Sequence, residues 1–311
     1  MNRLSEYHHT PVMVRESVEY LLSAPGETYI DATLGDGGHA EALLNRNNEA
    51  VLYGIDRDPE AIKASRKRLA KFNNRANLIL GRFGNLFEIA RENEINSVSG
   101  VLFDLGISSR QLDDRSRGFS FDGNGKLNMR MDGREERKTA FDIINQAKFE
   151  ELKRILTEYG EQRGAIGLSK AIIKARERSP IETSIELKKI VENAIRNCKA
   201  SDLARVFQAF RIAINGELQE LRDGLDAAME LLVPGGILVV ISYHSLEDRI
   251  VKRFMVREEQ DCICPPDLPV CRCGHRKRLE RLSRKPETPS SEEIDTNSRA
   301  RSAKLRVARK L

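Results

Sequence analysis

Short apolar runs alternate with helical periodicity through the first third of the chain. "TYIDATL" (28–34) predicts a strand, and "HAEALLN", after the glycines that follow, opens a helix. "AVLYGID" (50–56) predicts a second strand. Asp58 then stands as an N-cap with Pro59 at the first helical position, starting a helix through Phe72. "NLIL" (77–80) and "SGVLFDLG" (99–106) supply strands three and four, and "PGGILVVIS" (234–242) the fifth, entered through a Pro-Gly-Gly turn. Strand and helix in alternation, with apolar strands, predict a parallel sheet with right-handed crossovers, whose ligands bind beyond the carboxyl ends of the strands. Asp31, Asp56, Asp104 and Ser242 fall at those ends. The closing "SAKLRVARK" (302–310) alternates apolar and basic residues, as an added strand making the sheet mixed at one side would.

About 128 residues separate strands four and five, far more than an ordinary crossover needs. The insertion reads as helices: "TAFDIINQA", "KFEELKRILTEYG" with Gly160 as C-cap, and "TSIELKKIVENAIRN" after Pro180. From Ser201 a stripe of Leu203, Phe207, Phe210, Ile214, Leu218, Leu221, Leu225 and Leu232 keeps helical spacing and leads back to strand five. These patterns divide the chain into a sheet domain over 1–111 and 206–311, the latter with a basic, Cys-containing loop at 258–290, and a helical domain over 112–205.

Composition narrows the class. A chain of 311 residues can hold two domains, and it contains no apolar run near the ~18 residues of a membrane span. The start, "MNRLSEYHHTPVM", has neither an apolar export core nor a transit-peptide pattern, so a cytoplasmic protein with reduced cysteines is expected. The net charge of +5 names no partner unless it is concentrated.

The turn at 35–40, Gly-Asp-Gly-Gly-His-Ala, fits the loose dinucleotide pattern, and Asp56 lies 21 residues after Gly35, where a ribose-binding acid belongs. A pyrophosphate would meet Asp36 inside the loop and Asp31 just before it. S-adenosylmethionine carries a sulfonium and an ammonium instead, which carboxylates stabilise. The charge of the loop therefore favours the methyl donor over NAD. "LLVPGGILVVIS" has the form that introduces the fifth strand of Rossmann-like methyltransferases.

Nine ordered segments carry a resemblance over nearly the whole chain: "HTPVM" (9–13), "DATLGDGGHAEALL" (31–44), "GIDRDPEAI" (54–62), "FDLGISS" (103–109), "QLDDRSRGFSF" (111–121), "MRMD" (129–132), "FQAFRIAINGEL" (207–218), "ISYHSLEDRIVKRFM" (241–255) and "RARSAKLR" (299–306). They resemble the RsmH or MraW family of ribosomal RNA small-subunit methyltransferases. The resemblance implies an α/β fold, a Rossmann-like class I S-adenosylmethionine-dependent sheet with an inserted helical domain. It implies methyl transfer from S-adenosylmethionine to the N4 amine of a cytidine in the decoding region of 16S rRNA, in the small ribosomal subunit. No membrane is involved, and a homodimer is admitted. Gly37, Gly38 and His39 match the family's donor-binding turn, Asp56 its ribose-binding acid, and Phe83, Asp104 and Gln111 its remaining donor contacts.

The N4 amine of cytosine is a poor nucleophile because its lone pair is delocalised, so it needs an acceptor and alignment. Asp104 and the "SYHS" stretch (242–245) supply polar groups there, with Asp104 and His244 as the catalytic candidates: Asp104 as amine acceptor or donor-binding acid, His244 as general base or base-positioning group. Proton loss to water would leave no side chain as the base. Asp248, Arg249 and Lys252 fit an ion-paired helix face.

A cytosine must be single-stranded or flipped to reach the donor, with phosphate contacts around it. "RCGHRKRLERLSRK" (272–285), "RARSAKLRVARK" (299–310) and "RSRGF" (115–119) concentrate the basic charge; the first reads as an RNA contact and the second as half structural. Cys262, Cys264, Cys271 and Cys273 form C-x-C, six residues, C-x-C. Four soft ligands within twelve residues fit a small zinc loop, but the C-x2-C knuckle spacing is missing. Reduced thiols in a Pro-rich loop are the other reading. The resemblance does not imply a metal, and no residue is assigned as a metal ligand. Cys198 reads as a small apolar residue.

The chain departs from the family pattern at Arg110, Asn128, Gly164 and "SDLAR" (201–205), all on or beside the substrate side. A paralogue acting on another RNA cytidine, a noncatalytic ribosome-binding factor and a dehydrogenase are the competing readings.

Overall fold

A seven-stranded sheet organises the larger of two compact units. Its strands are β1 Thr28–Asp31, β2 Val51–Asp56, β3 Ala76–Leu80, β4 Val98–Asp104, β5 Leu232–Ser242, β6 Leu279–Arg281 and β7 Lys304–Lys310, in the order β3-β2-β1-β4-β5-β7-β6. The computed structural model describes residues 11–133, 137–265, 268 and 270–311. Residues 1–10 of the segment read for export, including His9 and Thr10 of the first motif, lie outside the described residues, as do Pro266, Asp267 and Pro269 of the Pro-rich loop. Strands β1 to β5 are parallel, and β7 is antiparallel to both β5 and β6. The strand order reverses between β1 and β4, the position at which open α/β sheets bind ligands. Among the described residues, no helix is long and apolar enough to cross a membrane.

Period-two alternation explains why the central strands read as continuous apolar runs. Val101, Phe103, Leu238 and Val240 point to one face, packing with the helices Leu86–Glu92, Glu217–Leu231 and Ser245–Glu258. Leu102, Val239 and Ile241 point to the other, against Val14–Leu21, Gly38–Arg46 and Pro59–Leu69. Both faces are covered, so no polar alternation survives.

The elements differ from expectation at their ends. β1 stops at Asp31, and the third of the helices on the second face stops at Leu69, followed by a 3-10 turn over Ala70–Arg75. Asp58 caps that helix as expected, its carboxylate accepting from Glu60 N at 3.1 Å. β5 begins two residues before the Pro-Gly-Gly turn. The pairing shifts between Val98↔Leu232 and Gly100↔Ile237, and Gly235, at φ 82, absorbs the extra residues. β6 escaped the sequence reading because only Leu279 of its three residues is buried, inside a run dominated by arginine and lysine.

The second unit spans Ile107–Glu217, whereas the sequence pattern placed its edges at 112 and 205. The helix Ala200–Asn215 is continuous and commits Leu203, Phe207 and Phe210 to this unit's core, ending only at Gly216, which takes φ 67. The long apolar stripe is therefore two helices, and Leu218, Leu221 and Leu225 belong to the sheet unit. Buried Asn215 holds the "MRMD" loop: its Oδ1 accepts from Met131 N at 3.0 Å, and its Nδ2 donates to Met129 O at 2.8 Å.

Gly160 is not the C-cap that the pattern suggested. Tyr159 ends its helix, and the left-handed residue is Glu161, at φ 47. Glycine is required at 160 by close packing instead, since a Cβ there would lie 2.8 Å from Leu156 O and 3.1 Å from Arg205 O. Both obstacles are backbone. Gly160→Ala should lower the unfolding free energy by about 1–3 kcal/mol, read by chemical denaturation, and Gly164→Ala, whose added Cβ meets nothing, should not.

Candidate active site at the carboxyl ends of the strands

Beyond the ends of β1 and β2 the turn closes on a carboxylate. Asp56, the last residue of β2, accepts from Gly35 N at 2.8 Å through Oδ2 and from Asp58 N at 2.8 Å through Oδ1. Leu34 N donates to Ile55 O and Gly37 N to Leu34 O, so the turn is stitched to β2 before the helix Gly38–Arg46 starts. Gly37 takes φ 78, and a Cβ on Gly38 would lie 2.5 Å from Pro11 Cγ, which explains two of the glycines. Withdrawal from water pushes the Asp56 carboxyl up to about 6, against the two backbone N–H groups that favour its charge.

The ends of β1, β4 and β5 carry a second group of residues. Asp31 is buried at 2% exposure, and burial pushes its carboxyl up to about 7, opposed by the Thr33 N–H and reinforced by Asp104 and Asp56. Thr33 Oγ1 accepts from Asp104 N at 2.6 Å, joining the β1 turn to β4. Tyr243 donates its phenol to Asp104 Oδ1 at 2.7 Å. Burial first, then Asp104, raises the Tyr243 phenol well above its ordinary range, so it remains a donor. Gly106, at φ 101, lets the chain after β4 pass beside the Tyr243 ring.

His39 sits below this pair. Its Nε2 lies 3.0 Å from Val12 O, a carbonyl that can only accept, so Nε2 carries the proton and Nδ1 is the bare nitrogen. Burial lowers the ring to about 4, which keeps it neutral. Nδ1 lies 3.8 Å from Asp104 Oδ2. Two acceptors thus stand side by side, an arrangement suited to a shared cationic N–H donor.

His244 begins the helix Ser245–Glu258 as its N-cap. Its Nδ1 accepts from Glu247 N at 3.4 Å, while the Glu247 carboxylate accepts from Tyr243 N and His244 N. This cap also leaves the proton on Nε2, which lies 3.1 Å from Glu247 Oε1 yet makes no hydrogen bond among the described residues. Ser242 Oγ donates to Lys304 O at 3.5 Å.

Phe83 packs edge-on against Phe103, with ring centroids 5.5 Å apart, and Gly224 makes room for it. Sequence reasoning missed what holds this loop. Buried Glu220 accepts through Oε2 from Arg57 Nη1 at 3.0 Å and from Arg82 Nη2 at 2.8 Å. Arg57 follows Asp56, and Arg82 precedes Phe83, so one carboxylate ties both loops to the helix Glu217–Leu231. The only signal was an acid on the apolar side of an amphipathic helix.

Gln111 lies in the second unit, buried, within a capping box in which its Oε1 accepts from Ser108 N at 3.2 Å. Asp248 pairs with Arg306 at 2.7 Å and Lys304 at 3.3 Å on β7, rather than with its helix neighbours as expected. In the 272–285 run, Arg278 is bound to Glu258 and Glu230, and Arg281 to Glu259, leaving Arg272, Arg276, Lys277, Arg284 and Lys285 as its exposed cations. Asn128, an acid in the family pattern, still accepts from Arg130 N and Nε through Oδ1, at 3.2 and 2.9 Å.

Two predictions follow from the charges. Because the folded carboxyl of Asp31 is raised, the fold favours its neutral form. The stability it contributes is full below the ordinary carboxylate value of about 4 and lost as pH rises through about 7. Asp31→Asn should therefore gain stability relative to the parent chain across that interval, measured by thermal unfolding against pH. Glu220→Ala should cost about 3–5 kcal/mol in denaturant titrations, because it strips two guanidinium groups of a buried partner.

The described geometry agrees with what the chain is similar to. The family model described as the MraW methylase family matches residues 6–311. The "Ribosomal RNA small subunit methyltransferase H" of Carboxydothermus hydrogenoformans is 46% identical over 309 residues, covering 98% of this chain and 99% of that protein. The protein of the same name from Caldicellulosiruptor saccharolyticus is 44% identical over 308 residues, covering 98% and 100%. That from Halothermothrix orenii is also 44% identical over 308 residues, covering 97% and 98%. With its sheet order, its acid-lined turn and a match along almost its whole length, this chain belongs to the MraW methylase family.

Proposed function

We propose that this chain transfers the methyl group of S-adenosylmethionine to the N4 amine of a cytidine in the decoding region of 16S rRNA, acting on the small ribosomal subunit. As an MraW methylase it is a S-adenosylmethionine-dependent rRNA methyltransferase. The observation that carries the reading of the donor site is the Asp56 Oδ2 to Gly35 N hydrogen bond of 2.8 Å. A dinucleotide site places its pyrophosphate on the glycine turn and on the helix start behind it, here at Gly38. Here Asp56 is held against that turn, with Asp31 and Asp36 beside it, so the acids disfavour NAD and suit a cationic ligand.

The residues fit the donor. Asp56 accepts from the ribose hydroxyls, and Phe83 gives the adenine an apolar surface. His39 Nδ1 and Asp104 Oδ2 accept from the ammonium group, while the turn at Gly37 and Gly38 brings backbone close to it. S-adenosylmethionine supplies an electrophilic methyl carbon. The N4 nitrogen bonds to that carbon as the carbon–sulfur bond breaks, and the nitrogen then releases a proton.

Asp104 orients the amine by accepting its N–H, and Tyr243 fixes the carboxylate by donating to Oδ1. The His244 tautomer set by its cap makes Nε2 a donor, so His244 positions the base rather than deprotonating it. Arg272, Arg276 and Lys277 contact phosphates. The reading of the target is supported by the "MRMD" motif, next to which the Asn128 amide oxygen accepts from Arg130.

The test is methyl transfer from labelled S-adenosylmethionine to small subunits lacking the modification, with the product nucleoside mapped by mass spectrometry. Asp104→Ala should reduce the rate on the order of 10²–10⁴-fold, and Tyr243→Phe by about tenfold. Label at a different nucleotide would overturn the target, and an unchanged rate in Asp104→Ala would overturn the role of that carboxylate. Donor affinity should weaken by roughly tenfold per pH unit below the Asp56 value of about 6, since protonation removes the acceptor. Calorimetry in two buffers of different ionisation heat would detect the matching proton release.

A further inference from the structure

The loop that joins the helix Ser245–Glu258 to β6 Leu279–Arg281 has about 20 residues and no helix or strand among those described. Ile263, Leu268 and Val270 are exposed, so these apolar residues among the described ones form no core for it. Its base is anchored: Arg278 N donates to Glu258 O at 2.9 Å, and His275 Nε2 lies 3.0 Å from Arg257 O. Toward its tip four thiols converge. The Cys262, Cys264, Cys271 and Cys273 sulfurs all lie within 4.8 Å of one another.

Cys262 Sγ lies 3.5 Å from Cys271 Sγ and 3.8 Å from Cys273 Sγ, and Cys271 and Cys273 are 3.6 Å apart. Four sulfurs at ~2.3 Å from a tetrahedral zinc ion define edges of ~3.8 Å. A disulfide would join sulfurs in pairs at about 2.05 Å and give no reason for four to gather. All four are free. Two backbone amides also turn toward the sulfurs, Cys264 N to Cys262 Sγ and Arg272 N to Cys264 Sγ, both at 3.4 Å. Such donors stabilise thiolates rather than thiols.

We infer that Cys262, Cys264, Cys271 and Cys273 form a closed structural zinc site that folds the loop and fixes the backbone of its exposed arginines. This takes the zinc reading of the four cysteines over that of reduced thiols. Each C-x-C pair supplies two sulfurs, so the missing knuckle spacing is no obstacle once the pairs face each other. On binding, the thiols release their protons to solvent, and all four positions of the ion are filled by protein, which leaves it no open site for catalysis. The resulting charge of −2 is offset by the cationic run that follows Cys271.

The test is elemental analysis of the full-length protein purified under reducing conditions, with thiol titration alongside. One zinc per chain is expected, with only Cys198 titrating until a chelator is added and all five cysteines thereafter. Cobalt substitution should give the visible bands of a tetrahedral tetrathiolate. Cys264→Ser combined with Cys271→Ser should abolish both the zinc and those bands. A metal-free parent chain after incubation with zinc and reductant would overturn the site, as would five thiols titrating at once, a mass deficit from disulfides, or zinc retained by the double variant.

Discussion

The hydrogen bond from Gly35 N to Asp56 determines the character of the ligand side of the sheet. It holds an acid against the glycine turn, where a nucleotide phosphate would meet like charge. The turn, the adjacent helix start and the end of β2 are thereby fixed before any ligand arrives. Asp31 and Asp104 at neighbouring strand ends extend the same acceptor-rich surface. The cost is visible in the carboxyls themselves, two of which are held above their ordinary range by lost hydration. A cation bound beside them favours the charged forms and so gains from the acids that burial holds back.

Most of this architecture was legible in the sequence because it obeys local rules. Apolar runs flanked by turn residues gave five parallel strands, and Asp58-Pro59 gave a helix start that needed no tertiary information. The acids at strand ends followed from topology alone. The partners of those acids did not. That Tyr243 rather than His39 holds Asp104 by a direct hydrogen bond depends on the pairing of β4 with β5, across 139 positions of sequence. Glu220 was invisible for the same reason, since its two arginines arrive from loops more than a hundred residues earlier.

Positions with a familiar local signature were read less well where packing set the requirement. Gly160 looks like a helix stop and is a contact between backbones. The stripe from Leu203 to Leu225 looks like one helix and changes units at Gly216. β6 has too few buried residues to register above its charge. In the basic segments, charge alone could not separate Arg278, Arg281 and Arg306, which are spent on carboxylates within the fold, from exposed cations. Ion pairing is a property of three-dimensional neighbours, and composition counts both kinds alike.

The discontinuity of the sheet unit has a consequence for how the chain is made. The helical unit is a single uninterrupted segment, whereas β4 waits for a partner, β5, that follows it only after 127 intervening residues. During synthesis β4 therefore keeps an unpaired edge, with apolar side chains on both faces, while the helical unit can already fold from local contacts. The topology thus leaves β4 without its β5 neighbour until the whole helical unit has been made, and exposes that strand most in the interval.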